Sequence, residues 1–151
     1  MLMVQSMHVT RFRLLILVLL AFLGSAQAQS PDPAKLPGHW VGNGRFFNAA
    51  FQTEFGHVPF DLRIQSDLTL TGTVGAAHIR PTSARLERDR IDYYVTLQGE
   101  IRPGSDFHKD HLVLLITVAD GDKLEADFHL KSNFVWDWTM RPGVVELKGR
   151  P

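Results

Sequence analysis

Cysteine is absent from all 151 residues. No disulfide can staple this fold, so a hydrophobic core must hold it unaided. The lipid-anchor route, which needs a cysteine just after an apolar leader, is closed as well. Neither sign of charge is in excess, with 16 Lys+Arg against 16 Asp+Glu. Once Arg11 and Arg13 near the N-terminus are set aside, 14 basic residues face 16 acidic ones, a net charge of −2. That balance gives no basic footprint for nucleic acid or for an anionic membrane surface. The densest basic group, Arg85, Arg88 and Arg90, is interleaved with Glu87, Asp89 and Asp92 and reads as a solvated turn.

Long hydrophobic runs are nearly absent too. The single uninterrupted one, Leu14 to Leu23, is far shorter than the roughly 20 residues a spanning helix needs. Arg11 and Arg13 precede it, and Gly24-Ser25 and Ala26-Gln27-Ala28 follow. A basic region, a short apolar core and a small-x-small end are the parts of a secretory signal peptide. Residues 1–28 are therefore expected to be a signal peptide cut after Ala28. The product would be secreted or periplasmic, with no membrane span. Residues 29–37, with Pro31, Pro33 and Pro37, read as an extended leader. Residues 38–151 form one domain, long enough for one sizeable core.

Strand periodicity is abundant. In Val58 to Val74, the residues Val58, Phe60, Leu62 and Ile64 alternate with Pro59, Asp61, Arg63 and Gln65. After Ser66-Asp67, Leu68, Leu70, Gly72 and Val74 alternate with threonines. Period-two alternation predicts two strands, each apolar on one face, joined by a polar turn. The pattern recurs at Ile91–Gln98, His111–Val118, Lys123–Leu130 and Phe134–Met140, with Val144–Lys148 closing the chain. Asp120-Gly121 is a strong hairpin signal. Pro142-Gly143 reads as a further turn. On His111–Val118 the expected inward residues are Leu112, Leu114, Ile116 and Val118. Asn48 to His57 fits either a short helical turn or an aromatic flap, because Phe47, Phe51 and Phe55 recur every four residues.

About eight or nine short strands joined by short turns, with no long helix, predict an all-β fold. Hairpin-length connections favour an antiparallel up-and-down meander. Closing it into a β-barrel of about eight strands removes its exposed edges. Such a barrel is filled by its own side chains or holds one small ligand.

Gly38-His39-Trp40 resembles the G-x-W that opens calycin barrels, the lipocalins, fatty-acid-binding proteins and avidins. Leu68-Thr69-Leu70-Thr71-Gly72-Thr73-Val74 is similar to the Leu-Thr-Gly-Thr stretch of avidins. The resemblance covers residues 38 to 75. It implies a calycin-like barrel with Trp40 packed across one end, under an arginine such as Arg141 or Arg150. Biotin binding is not implied, since only Asn43 could match the polar contacts and the serine-bearing loop is missing.

The inward aromatics suggest a pocket. Phe60, Tyr93, Phe128, Trp136, Trp138 and Met140 are the candidate ligand-binding residues, for a small apolar molecule. The competing reading is that they simply fill the barrel. Val113, Leu115 and Val135 on the nominally wet face suggest a second function, a protein-interaction module such as an inhibitor or envelope adaptor. A catalytic role is the third reading. Two acidic-histidine groups carry it: His108, Asp110 and His111, and Glu125, Asp127 and His129. Neither has distinctive spacing, and both read as wet surface. Serine occurs only in turn-like contexts, outside G-x-S-x-G, and no phosphate-binding glycine loop is present. No catalytic residue, metal or cofactor is expected. Self-association is left open.

Overall fold

The computed structural model describes residues 30–104, 110–132 and 141–150. Nine strands follow one another in chain order: β1 (Gly38–Phe46), β2 (Val58–Ile64), β3 (Leu70–Val74), β4 (Ala77–Thr82), β5 (Arg85–Leu86), β6 (Ile91–Gln98), β7 (His111–Asp120), β8 (Lys123–Lys131) and β9 (Arg141–Arg150). Each pairs antiparallel with its sequence neighbour, except that β4 passes over β5 to reach β6. Strand β9 returns to β1, pairing from His39↔Arg150 to Phe46↔Gly143. The meander is therefore a closed eight-stranded antiparallel barrel with β5 as an extra short strand, as the alternation predicted.

The core lies inside the barrel. Val58, Phe60, Leu62 and Ile64 are buried on β2, Ile91, Tyr93, Val95 and Leu97 on β6, and Leu124, Ala126, Phe128 and Leu130 on β8. Burying such side chains contributes about 1.5–3 kcal/mol each, which is what a chain without disulfides depends on.

The two barrel ends are built differently. At one end the leader is not extended. Pro33–Lys35 make a 3-10 turn, with the Asp32 carboxylate accepting from the Ala34 amide. This turn drives Leu36 into the core, where it is fully buried. The Trp40 indole N–H donates to the Leu36 carbonyl at 2.8 Å. Ser30 Oγ donates to the Arg88 carbonyl, and Lys35 reaches Asp120 at 3.4 Å. At the other end, β1 and β2 are joined by helix α1 (Ala49–Phe55), so Asn48–His57 takes the helical option. Asn48 caps α1 through bonds from Ala50 and Phe51 N–H, and the Gln52 side chain accepts from Phe46 N–H. Arg102 donates to the Phe55 carbonyl at the helix C-terminus.

Four expectations need correction. Leu68 is not a strand residue. It lies in the β2–β3 turn at φ 65°, where an Asp67 side-chain bond to Thr69 N–H tightens the chain. Val118 does not point inward, because a bulge between Ile116 and Val118 shifts the phase and buries Ala119 instead. Pro142-Gly143 is not a turn but the start of β9, paired with His129 and Phe128. Arg150 does not cover Trp40. It lies exposed beside His39, whereas Trp40 faces inward opposite Gly149, and Arg141 is at the far end of β9. The expected strand Phe134–Met140 lies outside the described residues.

Gly143 shows why the turn signal misled. A Cβ there would strike the Arg45 carbonyl and the Phe128 ring, and one at Gly44 would lie 2.7 Å from both the Phe128 and Phe60 rings. These glycines clear the interior for aromatic rings. Replacement by alanine is expected to destabilise by about 1–3 kcal/mol in urea unfolding. Gly143→Ala is the costlier, because a backbone carbonyl cannot move aside as a ring can. Adding Phe128→Leu to Gly44→Ala is expected to lose less than the sum of the single changes.

Candidate functional site

The strongest candidate is the aromatic interior beneath α1. Phe46 ends β1, Phe60 is on β2 and Phe128 is on β8, and alternation turns all three inward. The Phe60 and Phe128 rings lie 5.3 Å apart, and Phe46 meets Phe128 edge-on at 5.6 Å. Phe55 from α1 adds to Phe46 at 6.2 Å, and Phe51 to Phe55 at 6.4 Å. These separations suit tilted and edge-to-face ring pairs. No residue of α1 is fully buried, although Phe51 and Phe55 pack against the core.

Of the six residues expected to line a pocket, Phe60 and Phe128 come together, and each is 2 % exposed or less. Tyr93 faces the same interior from β6 but does not join them. In the register Leu114 stands between Tyr93 and Phe128. The Tyr93 hydroxyl instead donates to the Leu68 carbonyl in the β2–β3 turn at 3.1 Å. Trp136, Trp138 and Met140 lie outside the described residues. Sequence reasoning missed Phe46 as a neighbour of Phe128, and Phe55 and Phe51 as the rings that continue from Phe46. The four-residue spacing of the last two within α1 was the available signal.

The described members of the two acidic-histidine groups lie on the outer wall, two of their carboxylates in local pairs. Glu125, Asp127 and His129 share the outer face of β8, but Glu125 is engaged by Lys123 at 2.5 Å. That ion pair raises the Lys123 pKa. Asp110 contacts its neighbour His111 at 2.9 Å, and His108 lies outside the described residues. Among the described residues, no group of three or more His, Cys, Asp or Glu could hold a metal ion.

The outer wall is drier than alternation alone suggests. Val113 and Leu115 are half-buried. Asp92, expected on the wet face, is 1 % exposed, bonded by Arg90 Nε at 2.9 Å, and approached by the Tyr94 hydroxyl at 3.4 Å. A buried carboxylate needs such partners. Val135 lies outside the described residues. Exposed apolar groups instead stand at Phe47, Leu86 and Tyr94.

No family model, curated protein or solved structure matches this chain.

Tyr93 gives the barrel interior a pH signature. Burial, and then the nearby Asp67 charge, raise its pKa above the ordinary value of 10.0. The folded state therefore keeps a proton that the unfolded chain releases. The resulting stability is full below pH 10.0 and declines as pH rises past it. Tyr93→Phe is expected to cost about 1 kcal/mol at neutral pH through the lost hydrogen bond. It should also flatten the alkaline decline in thermal melts recorded across pH.

Proposed function

We propose that this chain is an exported, non-catalytic, calycin-like barrel that takes a small apolar ligand through the end carrying α1. The observation that supports this most is the difference between the two ends. Leu36 and Trp40 close the leader end at 0 % and 4 % exposure. The opposite end is roofed by α1, none of whose residues is fully buried. A ligand entering there meets Phe51 and Phe55 first, then Phe46, Phe60 and Phe128. Apolar walls with few polar groups suit a small hydrophobic molecule. Export rests on the leader pattern of Arg11 to Ala28. Calycin kinship rests on Gly38-His39-Trp40 and on the barrel closed by Trp40 at one end.

One observation favours a second reading, a filled barrel acting as a protein-interaction module. Phe128 already meets both Phe46 and Phe60, and glycine sockets receive the Phe60 and Phe128 rings. On this reading Phe47, Leu86 and Tyr94, each more than half exposed, are the contact residues.

Intrinsic tryptophan fluorescence, titrated with apolar probes and medium-chain lipids, separates the two. The pocket reading expects a saturable response at micromolar probe and a rise in Tm at saturation. It expects that response to be lost in Trp136→Phe/Trp138→Phe. No response and no Tm rise with any probe would leave the filled barrel standing.

A further inference from the structure

The net charge of the chain conceals a local arrangement. His39, Arg63, Lys148 and Arg150 are scattered along the sequence, and barrel closure gathers them. In the register Arg63 on β2 lies opposite His39 on β1, which lies opposite Arg150 on β9. The adjoining row runs Thr73, Asp61, Val41, Lys148. All of these side chains are on the outer wall. Around this second row is a shallow depression of about 440 Å³, lined by Val41, Asn43, Asp61, Thr73, Lys148 and Arg150 among others.

The charges in this depression are not paired off. Asp61 is its one carboxylate, and His39 Nε2 holds the Asp61 Oδ1 atom at 2.8 Å. The next acids along the wall, Glu125 and Glu146, are drawn to Lys123 at 2.5 and 3.8 Å. Arg63, Lys148 and Arg150 have no ion pair among the described residues. A guanidinium and an ammonium on one strand, with an amide at Asn43 on the neighbouring strand, form a donor set suited to a tetrahedral oxyanion, while Thr73 stands at the far rim.

We propose that this outer-wall depression is a phosphate-binding site, with Lys148 and Arg150 carrying the charge, Asn43 donating a hydrogen bond and Arg63 adding to the field. The His39–Asp61 contact occupies one oxygen of the carboxylate that lines the depression. The site is separate from the barrel interior and does not depend on what the interior holds.

The test uses 15N-labelled protein in two arms. In the first, sodium phosphate is titrated against sodium chloride at matched ionic strength. In the second, phosphatidylglycerol vesicles are compared with phosphatidylcholine vesicles in a sedimentation assay. Amide shifts confined to residues around His39, Asn43, Asp61, Thr73 and Lys148 are expected with phosphate and not with chloride. Response to free phosphate identifies a soluble phosphate ligand, and response to the anionic vesicles alone identifies a lipid headgroup. In either case Lys148→Gln/Arg150→Gln is expected to weaken binding by about tenfold or more at unchanged Tm, and Arg63→Gln by less. No response in either arm, shifts reproduced by chloride, or binding unaltered in the double variant would overturn the proposal.

Discussion

The fold depends on one packing arrangement, the Phe128 ring set against two strand positions that carry no side chain. Gly44 on β1 and Gly143 on β9 leave the space that the ring occupies, and Phe60 fills the rest of the Gly44 socket. The strands that carry these glycines are the pair that closes the barrel. A ring on β8 thus packs across the closure itself. Dispersion contacts of this kind are individually weak and collectively large, and they vanish if the surfaces separate by even a small gap. With no disulfide available, closure rests on this complementarity and on the β1–β9 hydrogen-bond ladder.

From that centre the two ends diverge. Toward the leader, the chain folds back on itself so that Leu36 is buried and its carbonyl receives the Trp40 indole. Toward α1, aromatic rings continue outward from Phe128 through Phe46 to Phe55 and Phe51, and burial falls along that path. Local stability follows buried apolar contact, and among the described residues that contact thins toward α1. That gradient turns a symmetric-looking meander into one with a distinguishable front and back.

Much of the architecture was legible in the sequence because strand alternation is a local property. Val58 to Ile64, Ile91 to Leu97 and Leu124 to Leu130 each show it cleanly, and each faces as expected. What escaped notice depends on partners distant in sequence. Pro142-Gly143 has the composition of a turn, yet Gly143 is required by a ring on the neighbouring strand. The bulge after Ile116 cannot be seen in a run of uniformly apolar residues, where a one-residue phase shift leaves the pattern unchanged. Asp92 is the exception, since it looked like an ordinary outward acid although its partners Arg90 and Tyr94 are its own neighbours two residues away on either side. The candidate interior was half legible. Phe60 and Phe128 were found by alternation, whereas the contribution of α1 and the different destination of Tyr93 were not. The cationic row on the outer wall was invisible, because its members belong to β1, β2 and β9.

The central claim is that the Phe128 ring occupies the space left by Gly44 and Gly143. Proton NMR tests it most directly, through nuclear Overhauser contacts from glycine Hα to aromatic ring protons. The account predicts contacts from Gly44 Hα to both the Phe60 and Phe128 rings, and from Gly143 Hα to the Phe128 ring. Glycine protons that show no aromatic neighbour, with the Phe128 ring in contact with other residues instead, would contradict it.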